Sequence, residues 1–265
     1  MTAVIGNLTQ ANQNPALLEP RPLPTNQKIS DVVLKFFKEK AKEVVKIFGY
    51  TSGWVNILKP GVDPKVGEFS TMMGDMKNAM SATEVPDKVY KVGLAAKKLT
   101  QDFTWANVRA LIKDVSSCIN SSADALFFSS KFVPINSELM RAAKGVNFAA
   151  TVGGCTISAG EQLQKIHTED YKFEKVSLAL INLARDVSYL AVGIVGLFCV
   201  ITATPFVPVV MLGLLSSGLL FTITGFFYER IADPYKQHED QKIVIQNLKA
   251  QNEYLARARV AAPAA

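Results

Sequence analysis

Charge is what this 265-residue chain lacks in one place: no charged side chain occurs from Val187 to Tyr228, forty-two residues in a row. Arg185 and Asp186 bound the run on one side, Glu229 and Arg230 on the other. A single membrane crossing needs about 20 residues, so the run is too long for one and fits two. Cysteine is scarce as well: Cys118, Cys155 and Cys199 are far apart, which excludes a disulfide framework or a metal knuckle. Histidine is scarcer still, with only His167 and His238, neither at a ligand spacing from a thiol or carboxylate. The Cys155 and His167 pair stands twelve residues apart on mixed faces, too loose for a thiol dyad. No G-x-S-x-G, no P-loop lysine motif and no G-x-G-x-x-G occurs. The expectation is no catalytic residue, no metal and no cofactor, hence no enzyme. Basic residues are not concentrated: the net charge of +6 is spread out, which favours anionic lipid surfaces over nucleic acid. The N-terminus also lacks the basic and apolar regions of a secretory signal.

What is present is helix-forming periodicity. Residues 1–27 are rich in Asn, Gln, Thr and Pro and read as disordered, a composition compatible with a type III secretion signal. From Ile29 to Phe48 apolar residues recur at helical spacing, with Ser30 and Asp31 as start signals and Gly49 as a stop. The polar face of that helix is lysine-rich, a pattern that suits either a bundle or a membrane surface. Residues 49–64 read as a loop, broken by Pro60, Gly61 and Pro64. Val66, Phe69, Met73, Met76 and Met80 form a stripe on a helix over 65–82, and Pro86 opens the next helix, with Val89, Val92, Ala96 and Leu99 facing inward. Longer helices follow over 104–130, along Trp105, Val108, Leu111, Ile112, Val115, Ile119 and Leu126, and over 137–164, the latter rich in small residues.

The uncharged run reads as a hairpin of two apolar helices, Val187–Ala203 and Val209–Tyr228, joined by a turn over Thr204–Pro208. Pro205 and Pro208 force the break. Gly193, Gly196, Gly213, Gly218 and Gly225 are tolerated in lipid-embedded helices, and Tyr189 and Tyr228 sit at the outer ends, where aromatic rings prefer the interface. Gly213 with Ser217, and Gly218 with Thr222, are small residues four apart of the kind that admit close helix approach. Beyond Pro234, residues 237–258 form a polar helix in which Ile245, Leu248, Asn252 and Leu255 follow coiled-coil spacing. That tail is an expected interaction segment and is compatible with a homo-oligomer. The fold class expected is all-α. A bundle-like helical region over 28–166 leads into a bilobed transmembrane hairpin within 171–230, then a short C-terminal helix over 237–258.

A bilobed apolar stretch with a short central turn and no Sec signal resembles the inclusion membrane proteins of chlamydiae. The match is Val187–Tyr228 with its turn TPFVP. One member of that group is also similar in the order of the rest: a basic amphipathic helix, GDMKNA from Gly74, the step Val92–Ala95, and AGEQL at Ala159–Leu163. The hairpin here comes late, after about 185 residues. The resemblance implies type III secretion, insertion in the membrane of a host vacuole with both termini in the host cytosol, and helical segments displayed to host or bacterial proteins. Two crossings independently place both ends on one side, and basic residues flank the hairpin at Lys172, Lys175, Arg185, Arg230, Lys236 and Lys242. Two other readings compete: a helical pore-forming toxin, and a membrane-shaping protein acting through amphipathic helices.

Overall fold

The computed structural model describes residues 29–59, 61, 63–168, 173–232 and 245–246. They form seven α-helices and no strand among the described residues. In chain order these are α1 (Ile29–Glu39), α2 (Ala41–Leu58), α3 (Pro64–Gln101), α4 (Trp105–Ser129), α5 (Ser137–Thr168), α6 (Phe173–Thr202) and α7 (Pro208–Phe227). A single π-helical turn, Tyr228–Ala232, follows α7. The all-α expectation holds, including the apolar hairpin near the C-terminus. Most of the two terminal segments read as disordered tail and coiled-coil helix lies outside the described residues.

Contacts divide the chain into two compact units, one made of Met1–Val33 with Phe227–Ala265 and the other of Leu34–Phe226. Of the first unit, the described parts are the opening of α1, the π turn and the helical residues Ile245 and Gln246. In the second unit each helix packs on the next: α2 on α3, α3 on α4, α4 on α5, and α5 on α6. The pairs are antiparallel. Lys42 meets Glu84 while Gly49 meets Met73, and Arg109 meets Gln164 while Ser116 meets Gly154. The last helix returns to α2: Gly53 lies against Leu212, and the Trp54 indole N–H donates to Ser216 Oγ at 2.9 Å.

Two expected breaks are absent, each for a packing reason. The helix does not stop at Gly49. It bends instead at Lys40, with φ −123° and ψ 34°, and the bonds Lys40 N–H to Phe36 O and Val44 N–H to Lys40 O carry the backbone across the bend. At Gly49 α3 packs closely, since a Cβ there would lie 3.2 Å from Met73 Cβ. Its carbonyl accepts from the Ser52 and Ser70 hydroxyls. The expected loop over 49–64 shrinks to the few residues before Pro64, which occupies the first turn of α3 under an Asp63 cap. Pro86 likewise does not begin a helix but lies inside the 38-residue α3. An interior proline costs about 3 kcal/mol. Packing on both sides of it, at Ser81 before and Ala95 after, keeps the helix continuous.

The inward faces are also smaller and more polar than periodicity suggests. On α4 the buried residues are Ser116, Ser121, Ala123 and Asp124, while Trp105, Ile112 and Val115 are exposed. On α3 Met73 is buried but Phe69, Met76 and Val89 are exposed. Close antiparallel packing selects small side chains for the seam and leaves the large ones at its margins. Inside it, Asp124 pairs with Lys77 at 2.8 Å and accepts from the Ser81 hydroxyl at 2.8 Å.

Candidate membrane hairpin

Two helices are long and apolar enough to cross a bilayer: Val176–Thr202, with mean hydropathy 1.7, and Pro208–Ile231, with mean hydropathy 2.0. At 1.5 Å per residue both exceed the ~30 Å of a hydrocarbon core. The first begins well before Val187, so it takes in Arg185 and Asp186, which the sequence reading left as a boundary. Those two charges are neutralised locally. Asp186 is buried, 4% exposed, with Arg185 at 2.8 Å and the Ser158 hydroxyl donating to its other oxygen at 2.5 Å. No periodicity signals this: a carboxylate beside an arginine reads as the solvated end of a helix until α5 supplies Ser158.

The glycines divide into two sets with different partners. Gly193 and Gly196 face α5, not the second lobe. A Cβ on Gly193 would fall 3.2 Å from both Phe148 O and Val152 N, and one on Gly196 would overlap the Phe148 ring. Gly218 of α7 meets the other lobe: the Tyr189 ring lies over it, 2.8 Å from where a Cβ would be. Thr222 donates to Gly218 O at 2.8 Å. Gly225 stands against Ile181 and Asn182. Gly213 faces Trp54 of α2, and Ser217, which bonds back to Gly213 O, is exposed. Of the two small-residue pairs, Gly218 with Thr222 thus lies at the lobe–lobe contact and Gly213 with Ser217 does not. Val187 is half exposed, and Tyr228 opens the π turn.

The turn is compact. Ala203 takes a left-handed conformation, φ 55°, that closes α6, Pro205 lies in the exposed connection, and Pro208 starts α7. Arg141, from the first turns of α5, donates through Nε and Nη2 to Val200 O at 3.1 and 2.7 Å. A cation on the last carbonyls of a helix opposes the negative end of its dipole. Of the tail residues expected to interact, Ile245 is half-buried, while Leu248, Asn252 and Leu255 lie outside the described residues.

No protein-family model, curated protein or solved structure matches this chain.

The hairpin is partly covered and partly open. Only 28% of the first apolar window and 22% of the second is buried. Helices α5 and α2 cover one side, and the outward side carries Ile194, Phe198, Ile201, Val209, Val210 and Leu220. The described residues contain no group of three or more His, Cys, Asp and Glu side chains placed to hold a metal ion.

Two expectations follow from this packing. Gly193→Ala is expected to destabilise the fold by about 1–2 kcal/mol, because overpacking against backbone outweighs the helix propensity gained. Gly160→Ala, on α5 with nothing within 4 Å of its Cβ position, is expected to stabilise by roughly 0.5–1 kcal/mol. Denaturant midpoints of the two variants should move in opposite directions. Separately, burial and then the Asp186 carboxylate push the Cys155 thiol from 9.0 up to about 11. Its thiolate population near pH 8 is then about 100-fold below that of a free thiol. Iodoacetamide should label it correspondingly slowly in the folded chain and at the ordinary rate in denaturant. The sign for stability is negative with rising pH: the unfolded thiol ionises first, so folding loses support from pH 9 toward 11.

Proposed function

We propose that this chain is an integral membrane protein whose hairpin crosses the bilayer twice and whose helical region 28–166 is displayed on one side for protein–protein contact. Its nearest functional type is the type III secreted protein of a pathogen-containing vacuole, with host cytosol on the displayed side. The observation that carries the membrane part is the outward face of the hairpin: two helices of spanning length, joined by a short turn, with about three-quarters of their apolar windows unburied. A helix that is apolar on its outer face needs an apolar surrounding there. The secretion route and the vacuole rest on the resemblance of the bilobed run alone. Partners on this reading are membrane lipid and host or bacterial proteins, not nucleic acid.

Carbonate extraction followed by protease protection, on protein tagged at both ends and expressed in a eukaryotic cell, tests the topology. The expected result is resistance to carbonate and digestion of both tags from the cytosolic side. Release by carbonate overturns the membrane assignment. Protection of one tag overturns the two-crossing arrangement.

A second reading has one observation in its favour. Helices α5 and α2 lie along the hairpin, through Phe148 on Gly196 and Trp54 on Ser216, as they would if the bundle stored it before insertion. That is the behaviour of a pore-forming hairpin. Purified water-soluble monomer that releases dye from vesicles would support it; monomer that leaves vesicles sealed would remove it. Tubulation of vesicles by residues 28–166 would instead support a membrane-shaping role.

A further inference from the structure

The outward face of α6 has a period that lipid contact does not require. Leu180, Val187, Ile194 and Ile201 recur every seven residues. Three residues after each of the first three come Leu183, Leu190 and Leu197. This is a heptad seam carried through the whole apolar helix, β-branched at three of four a positions and Leu at each of these d positions, the combination that favours parallel two-stranded packing. Over three heptads the repeat lines up one continuous ridge of large side chains on a single face of the helix.

Among the described residues the a side of this seam is left open, while Leu183, Leu190 and Leu197 are half-buried. The a residues stay open, from 50% exposed at Leu180 to 70% at Ile201. Neighbouring helices use other sides of α6: Gly193, Gly196 and Asp186 face α5, and Tyr189 and Asn182 face α7. The charges Arg185 and Asp186 pair with each other, so no unpaired charge enters the seam. Helix α7 has no equivalent, since its outward positions Val210, Ser217 and Thr224 carry two hydroxyls.

We infer that α6 is the contact helix of a parallel homodimer, a second copy of this chain docking a on a and d on d through Leu180 to Ile201. The inference rests on the membrane reading for its orientation, because two copies inserted the same way necessarily present α6 in parallel. A two-fold axis along the bilayer normal makes such a seam complementary to itself. The open a side chains with Phe198 supply roughly 500 Å² per copy, or about 1,000 Å² between two copies, where specific interfaces begin. Small residues at Ala184 and Ala191 border the seam and permit close approach.

The test is disulfide cross-linking of the full chain in phosphatidylcholine vesicles. In a background of Cys118→Ala, Cys155→Ala and Cys199→Ala, single cysteines are placed by Ile194→Cys, Leu190→Cys and Leu220→Cys. Copper-phenanthroline oxidation is expected to give at least five-fold more dimer at positions 194 and 190 than at 220, on the outward face of α7. Equal yields at all three, or none at the seam, overturn the dimer. Flotation of the same vesicles separates the two ideas. Floating protein without seam cross-links removes the dimer and leaves the membrane reading; seam cross-links without flotation retain the dimer and remove that reading. The parent chain, with its own cysteines, provides a check independent of the altered background. Its mass in lipid nanodiscs should correspond to two copies per particle, and one copy overturns the proposal.

Discussion

Leu220→Arg is expected to lower the membrane–water partition constant of this protein roughly 100-fold while leaving its folded stability in water unchanged. A basic side chain near the middle of a membrane helix costs about 3 kcal/mol on insertion scales. Leu220 lies near the middle of α7 and is 60% exposed. On a surface facing water the same change falls within about 0.5 kcal/mol of neutral. Its position thereby separates the two surroundings. Gly196→Arg would not, because the side chain would collide with Phe148 in either medium. Vesicle flotation measures the first effect and thermal unfolding of any soluble fraction the second. If the variant floats as firmly as the parent, the outward face of α7 does not lie in hydrocarbon.

Asp124→Ala is expected to destabilise the helical region by about 2–3 kcal/mol, the cost of stranding the partly buried Lys77 ammonium and losing a charged hydrogen bond. Lys77 and Asp124 are 29% and 11% exposed at the side chain, and Ser81 also donates to Asp124. Truncation removes the only carboxylate in contact with Lys77 among the described residues. The paired change Lys77→Met with Asp124→Leu should recover most of the loss, since two apolar side chains need no partner. The pH dependence identifies the cause. Burial lowers the Lys77 ammonium below its usual 10.5, an effect that Asp124 opposes through its charge and hydrogen bond. The folded state therefore releases this proton before the unfolded state does, and stability rises with pH from the lowered value toward 10.5. Without Asp124 the lowering deepens, so the deficit of the variant should shrink as pH rises into that range. A deficit constant from pH 6 to 10 would mean that lost packing, not the stranded charge, accounts for it.

Where sequence signals succeeded, they depended on the chain's own local chemistry. The uncharged run, its break at Pro205 and Pro208, and a helix starting near 104 follow from solvation and backbone sterics. Breakers failed where another helix intervened. Gly49 marks a stop only if nothing packs on it, and here Met73 does; Pro86 marks a start only if the flanking turns are unsupported, and Ser81 and Ala95 are held. The inward faces of α3 and α4 were misjudged for a related reason. Periodicity ranks residues by hydrophobicity, whereas a close antiparallel seam ranks them by size, so Ser116 and Ser121 went inside and Trp105 stayed out.

By itself the sequence determined that this protein is helical, that it carries a two-lobed apolar hairpin, and where that hairpin turns. Those properties are local: a helix records its period, an uncharged run its length, and a proline its missing N–H, whatever surrounds them. Which side of each helix is covered was decided only by tertiary structure, because coverage belongs to pairs of distant segments. Gly193 and Gly196 became the seat of α5, and Gly218 the seat of Tyr189. Asp186 became a buried pair with Arg185 under Ser158. The heptad repeat of α6 is written in the sequence, but the exposure of its a residues is set by where the described neighbouring helices pack.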